Sequence, residues 1–236
     1  MHTQKPALHP GEIATLLRGE REAIEAWLRG NLTARLALHV AVIVVGAGCY
    51  GAAMGWWRDP QQALFTAVKF PVIILLTTLG NALINGMIAP LLGLDIPFRR
   101  SFAAVVMSFA VASAILGAFA PLIAFIVWNA PPLAATPGAT FVYNLLKLAH
   151  VGVITLAGVT GNARLFQLLA HLGGSRAVAA RVMIAWLAGN LFLGAQLSWI
   201  LRPFIGSPNL PVEFLRANAL HGNFYENVFH AFTGLF

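Results

Sequence analysis

The sequence predicts an all-α protein that crosses a membrane five times, and three observations lead to this prediction. Apolar residues make up 58% of the 236 residues, whereas charged residues make up only 10%. Soluble domains carry about 25% charged residues, so this chain has too few charged residues to form the water-exposed surface of a soluble protein. The mean hydropathy is +0.76. The apolar residues are also grouped in five runs, each long enough for the roughly 20 helical residues that cross a bilayer.

Residues that interrupt or end helices separate the five runs. Pro, Gly or Asp occurs at residues 58–60, 95–97, 131–132 and 173–174. These interruptions divide the chain into an N-terminal segment (1–33), a membrane domain (34–202) and a tail (203–236). The spans are predicted near residues 34–57, 62–91, 101–128, 139–165 and 178–202.

The N-terminal segment predicts an amphipathic helix rather than a cleavable signal. Between residues 10 and 30, apolar residues such as Ile13, Leu16 and Ile24 recur at helical spacing, with Arg and Glu on the opposite side. Four acidic residues precede the first apolar run, unlike the basic start of a signal peptide. The helix is expected to lie on the cytoplasmic membrane surface. The alternative is that it packs on its own domain or on a partner.

The basic residues predict the orientation. They are concentrated before the first span and in the loops after spans two and four, whereas the loop after span three has no charge. By the positive-inside rule, the N-terminus is cytoplasmic and the C-terminus is outside. We therefore expect a multi-pass protein of the bacterial inner (plasma) membrane. The formal net charge of +7 is mostly this orientation signal, and no nucleic-acid partner is predicted because no nucleic-acid-binding module is visible.

Small residues and amides inside the spans predict helix contacts. Ala47, Gly51 and Gly55 form a ridge in span one that allows another helix to approach closely, within this chain or from another copy. Amides lie at a similar level in spans two, four and five. Such amides commonly join helices by hydrogen bonds, and the alternative is that they line a permeation path. The amides are Asn81, Asn85, Asn162 and Asn190.

Two lysines lie inside predicted spans, although none of the five spans contains an acidic residue. Lys69 is in span two, and Lys147 is in span four with His150 on the same helix face. Gln196 in span five faces the same outer half. One interpretation is that both lysines extend to the outer headgroups. The other is a basic, outward-open vestibule that attracts an anion, a lipid phosphate or a carboxylate of a partner.

The tail has an aromatic pattern. Within residues 222–236, one side of a helix would carry Phe224, Phe229, Phe232 and Phe236. So many aromatic residues are not expected to face water. The tail is therefore predicted to lie in the membrane interface or to fill a groove on another subunit.

Motifs for catalysis and for cofactors are missing from the sequence. It has no P-loop, no HExxH, no G-x-S-x-G and no paired carboxylates within the spans. The histidines are scattered. Cys49 is the single cysteine, which excludes an internal disulfide, and we expect it to be buried. The sequence thus predicts a protein that is not an enzyme and has no cofactor or metal.

The turn between spans two and three reads "APLLGLDIPFRRSFAAVVMSFA". Together with the cytoplasmic N-terminal segment and five helices, it resembles the Yip (Ypt-interacting protein) membrane family, bacterial relatives included. The resemblance covers residues 34–202 and implies a fold. The cytoplasmic Asp-Leu-Tyr-Gly-Pro signature of the eukaryotic members is missing, so binding to small GTPases is not implied.

Two functions fit these patterns. The first is a non-enzymatic integral subunit or scaffold of a larger membrane assembly, with the lipid bilayer and either further copies or other membrane subunits as partners. The second is a channel or transporter for an anion or small polar solute, with the lysines at its entrance and the amides along its inner part.

Overall fold

A computed structural model confirms the predicted fold class, and it describes residues 11–19, 32–131, 139–202, 204–205 and 211–226. Within these ranges five long helices follow one short helix, and each of the five is long and apolar enough to cross a membrane. No strand occurs within the described ranges. The helices are α1 (Gly11–Arg18), α2 (Leu32–Trp56), α3 (Pro60–Leu91), α4 (Phe98–Asn129), α5 (Ala139–Leu172) and α6 (Arg176–Leu201).

The predicted spans match the five long helices closely, except at the end of α5. The other bounds differ by three residues or fewer, but α5 continues seven residues beyond the predicted end at residue 165. The apolar run ends there, whereas the helix continues because Leu168 and Leu169 are buried in the core. The helix ends at Gly173 and Gly174, and Gly174 has a positive φ of 60° that favours glycine.

Short turns at residues 57–59, 92–97 and 173–175 make the helices that they join antiparallel. The side chain of Asp59 caps α3 by accepting a hydrogen bond from the Gln61 N–H at 2.7 Å, and Pro60 occupies the first helical position. Ser175 caps α6 in the same way through the Ala177 N–H. We call the end where α2 begins the amino end of the bundle. The opposite end, where α6 ends, is the tail end.

The five helices form two groups that share α3 and α4. Helix α2 packs closely against both α3 and α4, and these two also contact each other. On the other side, α6 packs on α3 and α5 packs on α4, whereas α5 and α6 contact each other more sparsely. The second group therefore encloses space between its four helices.

Helix α1 packs on the amino end of its own bundle. Ile13 and Leu16 are buried, and α1 contacts α4 and α5. Arg164 on α5 donates a hydrogen bond through Nη2 to the backbone oxygen of Leu17 at 2.7 Å. The sequence left open whether this helix lies on the membrane surface or packs on a protein. In the structure, residues 11–18 pack on the membrane domain of the same chain.

Cys49 is exposed, contrary to the expectation that it is buried. It lies on the side of α2 that faces away from α3, beside a shallow apolar groove between α2 and α4 that Trp56 and Trp128 also line. In a spanning helix that side faces lipid, where a small apolar side chain costs little.

Candidate functional site

The ammonium group of Lys69 lies in a largely enclosed site near the tail end. Lys69 is about 14 Å along α3, at ~1.5 Å per residue, and only 3% of its surface is exposed. Its Nζ donates a hydrogen bond to the backbone oxygen of Glu213 at 3.3 Å. The same atom lies 5.0 Å from the ring centre of Phe214 and 5.7 Å from that of Phe65. The tail thus covers the lysine, and a carbonyl and two rings stabilise its charge.

Two arginines lie on the same tryptophan next to this lysine. The guanidinium carbons of Arg202 and Arg216 are each 4.9 Å from the ring centre of Trp199. Arg216 also donates through Nη2 to the backbone oxygen of Trp199 at 3.4 Å. Burial lowers the pKa of Arg202, and the neighbouring Arg216 lowers it further. Burial disfavours the charged form of the Arg202 guanidinium itself, and the neighbouring charge of Arg216 repels it.

The end of α6 places Arg202 in this position. Arg202 is the C-cap residue and adopts a left-handed conformation with φ 44°, while its N–H bonds to the oxygen of Ser198 at 2.9 Å. A non-glycine residue in this conformation is strained by about 1–2 kcal/mol. The conformation ends the helix one turn beyond Trp199, where the guanidinium reaches the indole ring.

Lys69, Arg202 and Arg216 together line a cavity of about 380 Å3, which we call the tail-end basic pocket. Gln62 and Glu213 also line it. Among the described residues, no carboxylate forms an ion pair with any of the three cations. Arg216 Nε and Trp199 Nε1 are buried without a hydrogen-bond partner in the described ranges. The pocket is therefore basic, and one of its cations, Arg216, has a buried donor that no described residue uses.

The tail is fixed over the pocket by aromatic contacts and hydrogen bonds. The rings of Phe214 and Phe65 meet edge to face at 5.3 Å. Gln196 Oε1 accepts a hydrogen bond from the Phe224 N–H at 3.3 Å, and the Tyr225 ring stacks on Phe192 at 5.6 Å. Gln196 and Phe224 therefore join the tail to α6. Phe229, Phe232 and Phe236 lie outside the described residues.

The other residues predicted for a basic vestibule lie elsewhere. Lys147 is exposed on α5, 5.0 Å from the ring centre of Tyr143. His150 is buried against α2, with Nδ1 2.9 Å from the hydroxyl of Tyr50. The structure thus does not bring Lys69 and Lys147 together, because the two lysines lie on surfaces of α3 and α5 that do not meet.

The amides gather inside the second helix group. Asn81 donates through Nδ2 to Asn190 Oδ1 at 2.5 Å and so joins α3 to α6. Asn162 and Asn190 line a cavity of about 240 Å3 together with Thr77 and Ser108. We call it the mid-bundle cavity. Asn85 is fully buried one turn beyond Asn81, and its amide atoms have no partner among the described residues.

The small-residue ridge of α2 is used inside the chain. Ala47 is fully buried. A Cβ atom at Gly51 would lie 2.6 Å from the backbone oxygen of Thr66, and one at Gly55 would lie 2.6 Å from that of Gln62. These distances allow only glycine, so the ridge lets α2 and α3 approach each other closely.

Sequence reasoning did not identify Arg202, Arg216 or Trp199 as site residues. One local signal was available, since Trp199 and Arg202 are three residues apart at a helix end, a spacing that places a cation on a ring. Nothing local indicated Arg216, which reaches the site through the course of the tail.

Comparison of the chain with protein-family models, curated protein sequences and solved structures gives no match. The assignment of a function therefore depends on the sequence and on the geometry of the described residues.

Proposed function

We propose that this chain is a non-enzymatic, multi-pass protein of the bacterial inner membrane that serves as an integral subunit of a larger membrane assembly. Its N-terminus is cytoplasmic and its C-terminus is outside in this proposal, which follows the distribution of basic residues. The resemblance to the Yip family stays a prediction, and no partner is inferred from it.

One observation carries the proposal: an exposed stripe along α5 that mixes polar, small and apolar residues. The spacing of four, four, three and four residues places the stripe on one face of the helix. Each of its members is exposed. The residues of this α5 stripe are Asn144, Leu148, Gly152, Thr155 and Val159.

The composition of the α5 stripe suits another helix better than lipid. In hydrocarbon the amide of Asn144 gains from a partner across a helix interface, and Thr155 can hydrogen-bond in the same way. A Cβ atom added to Gly152 would meet nothing within 4 Å, so this glycine is not required by packing within the chain. Glycine at such a position allows the backbone of a second helix to come close. We therefore assign the stripe to a transmembrane helix of another subunit.

The test is purification of the full chain in mild detergent, followed by mass measurement and identification of co-eluting proteins. We expect a species larger than one 25.2 kDa chain. Gly152→Leu should remove most of it, because the larger side chain keeps the helices apart. Ala118→Leu is the matched control, since Ala118 is exposed on α4 at a similar distance from the tail end.

Two results would contradict the proposal. A wild-type protein that elutes as a single chain without companions would exclude the larger assembly. A Gly152→Leu protein with unchanged mass and composition would exclude the α5 stripe as its interface. Co-eluting chains of the same mass would identify the occupant as a second copy.

A second candidate function is passage of an anion or small polar solute, and one observation favours it. Lys69 in the tail-end basic pocket is followed by Ile73 and Thr77, which line the mid-bundle cavity. Residues four apart lie on one face of a helix. The two spaces therefore follow each other along α3, with Ile73 one turn beyond Lys69.

A further inference from the structure

We propose that the tail-end basic pocket binds a phosphate group, carried either by a lipid headgroup or by free phosphate. This proposal is independent of the assembly proposed above, because no residue of the α5 stripe lines the pocket and the pocket requires no second protein. It rests on charge, on the geometry of the donors and on the position of the pocket.

The charge balance of the pocket favours an anion. Three cationic side chains, Lys69, Arg202 and Arg216, face one acidic residue in the lining, Glu213. From residue 203 to the end of the sequence, Glu213 and Glu226 are the only acidic residues, so the tail has few carboxylates with which to balance them. Like charges held close together repel each other. An anion between them would replace this repulsion with attraction.

The donors suit phosphate better than a halide or a single carboxylate. Both guanidinium carbons lie 4.9 Å from the ring centre of Trp199, which holds the two groups at one place, and a guanidinium presents paired N–H donors to two oxygens at once. Arg216 Nε is buried without a partner in the described part of the chain. The ammonium of Lys69 adds a third charged donor. A phosphate group offers several acceptor oxygens and matches this set of donors.

The size and position of the pocket fit a phosphate that is attached to a larger group. About 380 Å3 corresponds to roughly a dozen water volumes of ~30 Å3 each, which is more than one phosphate fills. Trp199 lies within the last turn of α6, and tryptophan is typical of the membrane interface. Lipid phosphates are concentrated at that level, and free phosphate can reach it from water.

The tail completes the pocket, so binding and tail docking are linked. Glu213, Phe214 and Arg216 belong to the tail, whereas Lys69 and Arg202 belong to α3 and the end of α6. A ligand that contacts both sides stabilises the docked tail by its own binding free energy.

The experiment follows the fluorescence of Trp199 in the full chain, with a Trp199→Phe protein to subtract the other tryptophans. One arm titrates inorganic phosphate into protein in neutral detergent, against sodium chloride at equal ionic strength. The other arm compares nanodiscs of phosphatidylcholine with nanodiscs that also contain phosphatidylglycerol. Arg216→Gln, Arg202→Gln and Lys69→Gln are the test variants. Lys147→Gln is the matched control, because Lys147 lies in the same half of the bundle but outside the pocket.

We expect a saturable Trp199 response that Arg216→Gln weakens about tenfold or more, the range for loss of a charged hydrogen bond. Arg216→Lys should fall between wild type and Arg216→Gln, because lysine keeps the charge but loses the paired donors. Lys147→Gln should respond as wild type does. A response to inorganic phosphate identifies free phosphate as sufficient. A response only with phosphatidylglycerol identifies the lipid headgroup.

The proposal is overturned if neither arm gives a response, or if chloride gives an equal one. It is also overturned if the three pocket variants respond like wild type. Arg216 is in the tail, outside the bundle of helices, so Arg216→Gln remains informative even if Lys69→Gln disturbs the packing of α3. Unchanged circular dichroism and elution volume establish that each variant is folded.

Discussion

Lys69 illustrates how a charge can be held within a spanning helix. A charged side chain in the membrane is expensive and usually pairs or reaches water. Here the tail contributes the Glu213 carbonyl and the ring of Phe214, and α3 itself contributes the ring of Phe65, so that these groups surround the ammonium group. These groups are weaker partners than a carboxylate, so Lys69 keeps the capacity to attract an anion.

The second candidate function makes a prediction at the scale of single residues. If an anion passes along α3, Lys69→Gln should lower anion uptake by proteoliposomes about tenfold, because the charge that attracts the anion is lost. Lys147→Gln should leave uptake unchanged, since Lys147 is exposed on α5 and away from the pocket. Equal uptake by wild type and Lys69→Gln would make this second candidate wrong.

The sequence identified some residues of the site and missed others for a physical reason. Lys69 and the amides were recognisable because polar groups are rare inside apolar spans. Their partners were not recognisable. Glu213 follows Lys69 by 144 positions, and nothing in the tail sequence specifies which helix it covers. Lys147 resembled Lys69 in depth and type, yet only packing decides which of the two is enclosed.

At the scale of helices, the contact between α2 and α3 depends on glycine. A Cβ atom at Gly51 would lie within 3.0 Å of both the oxygen and the carbonyl carbon of Thr66. Backbone atoms of a helix cannot move aside as a flexible side chain can. The close contact therefore has no tolerance for a larger residue at this position.

We predict that Gly51→Leu destabilises the bundle by about 3 kcal/mol or more, at or beyond the usual range for overpacking. The measurement is the thermal unfolding midpoint in detergent, followed by circular dichroism. Ala41→Leu, on an exposed part of α2, provides the comparison and should leave the midpoint nearly unchanged. A Gly51→Leu protein as stable as the Ala41→Leu protein would mean that α2 and α3 are farther apart than described.

The ends of the helices were predictable where polar turns coincide with the ends of apolar runs, as at Asp59-Pro60 before α3. They were less predictable for α5, where the helix leaves the apolar region and continues. Leu168 and Leu169 are buried there by α4 and α6 residues in one core cluster. A hydropathy pattern indicates which part of a helix lies in the membrane. It does not indicate how far the helix continues beyond the membrane, and this extension of α5 is stabilised by tertiary packing.

For the whole molecule, the number of membrane spans could be predicted from the apolar runs in the sequence. Which helices pack against each other could not be predicted. Most of the surface of a spanning helix is apolar, whether it faces lipid or another helix, because lipid and protein both accept apolar side chains. No helix face therefore indicates its partner, and the sequence could not show that α6 packs on α3 or that α5 and α6 leave a cavity between them.

The orientation of the whole molecule gives a further prediction. A reporter that is active only in the cytoplasm should function at the N-terminus and when inserted at residues 92–97 or 173–175, at the amino end of the bundle. It should be inactive at residues 130–138 and at the C-terminus, because the amino end carries most of the basic residues. An active C-terminal fusion would reverse this assignment.

The docking of α1 also has a consequence for the order in which the parts of the protein assemble during its synthesis. Helix α1 leaves the ribosome before the five long helices, yet the hydrogen bond from Arg164 to Leu17 joins positions 147 residues apart. Because α1 contacts both α4 and α5, the surface that buries Ile13 and Leu16 in the finished protein is incomplete until α5 has been synthesised and inserted. Docking of α1 is therefore a late event in biogenesis. Helix α1 therefore reaches its final position only after four of the five long helices that follow it are in place.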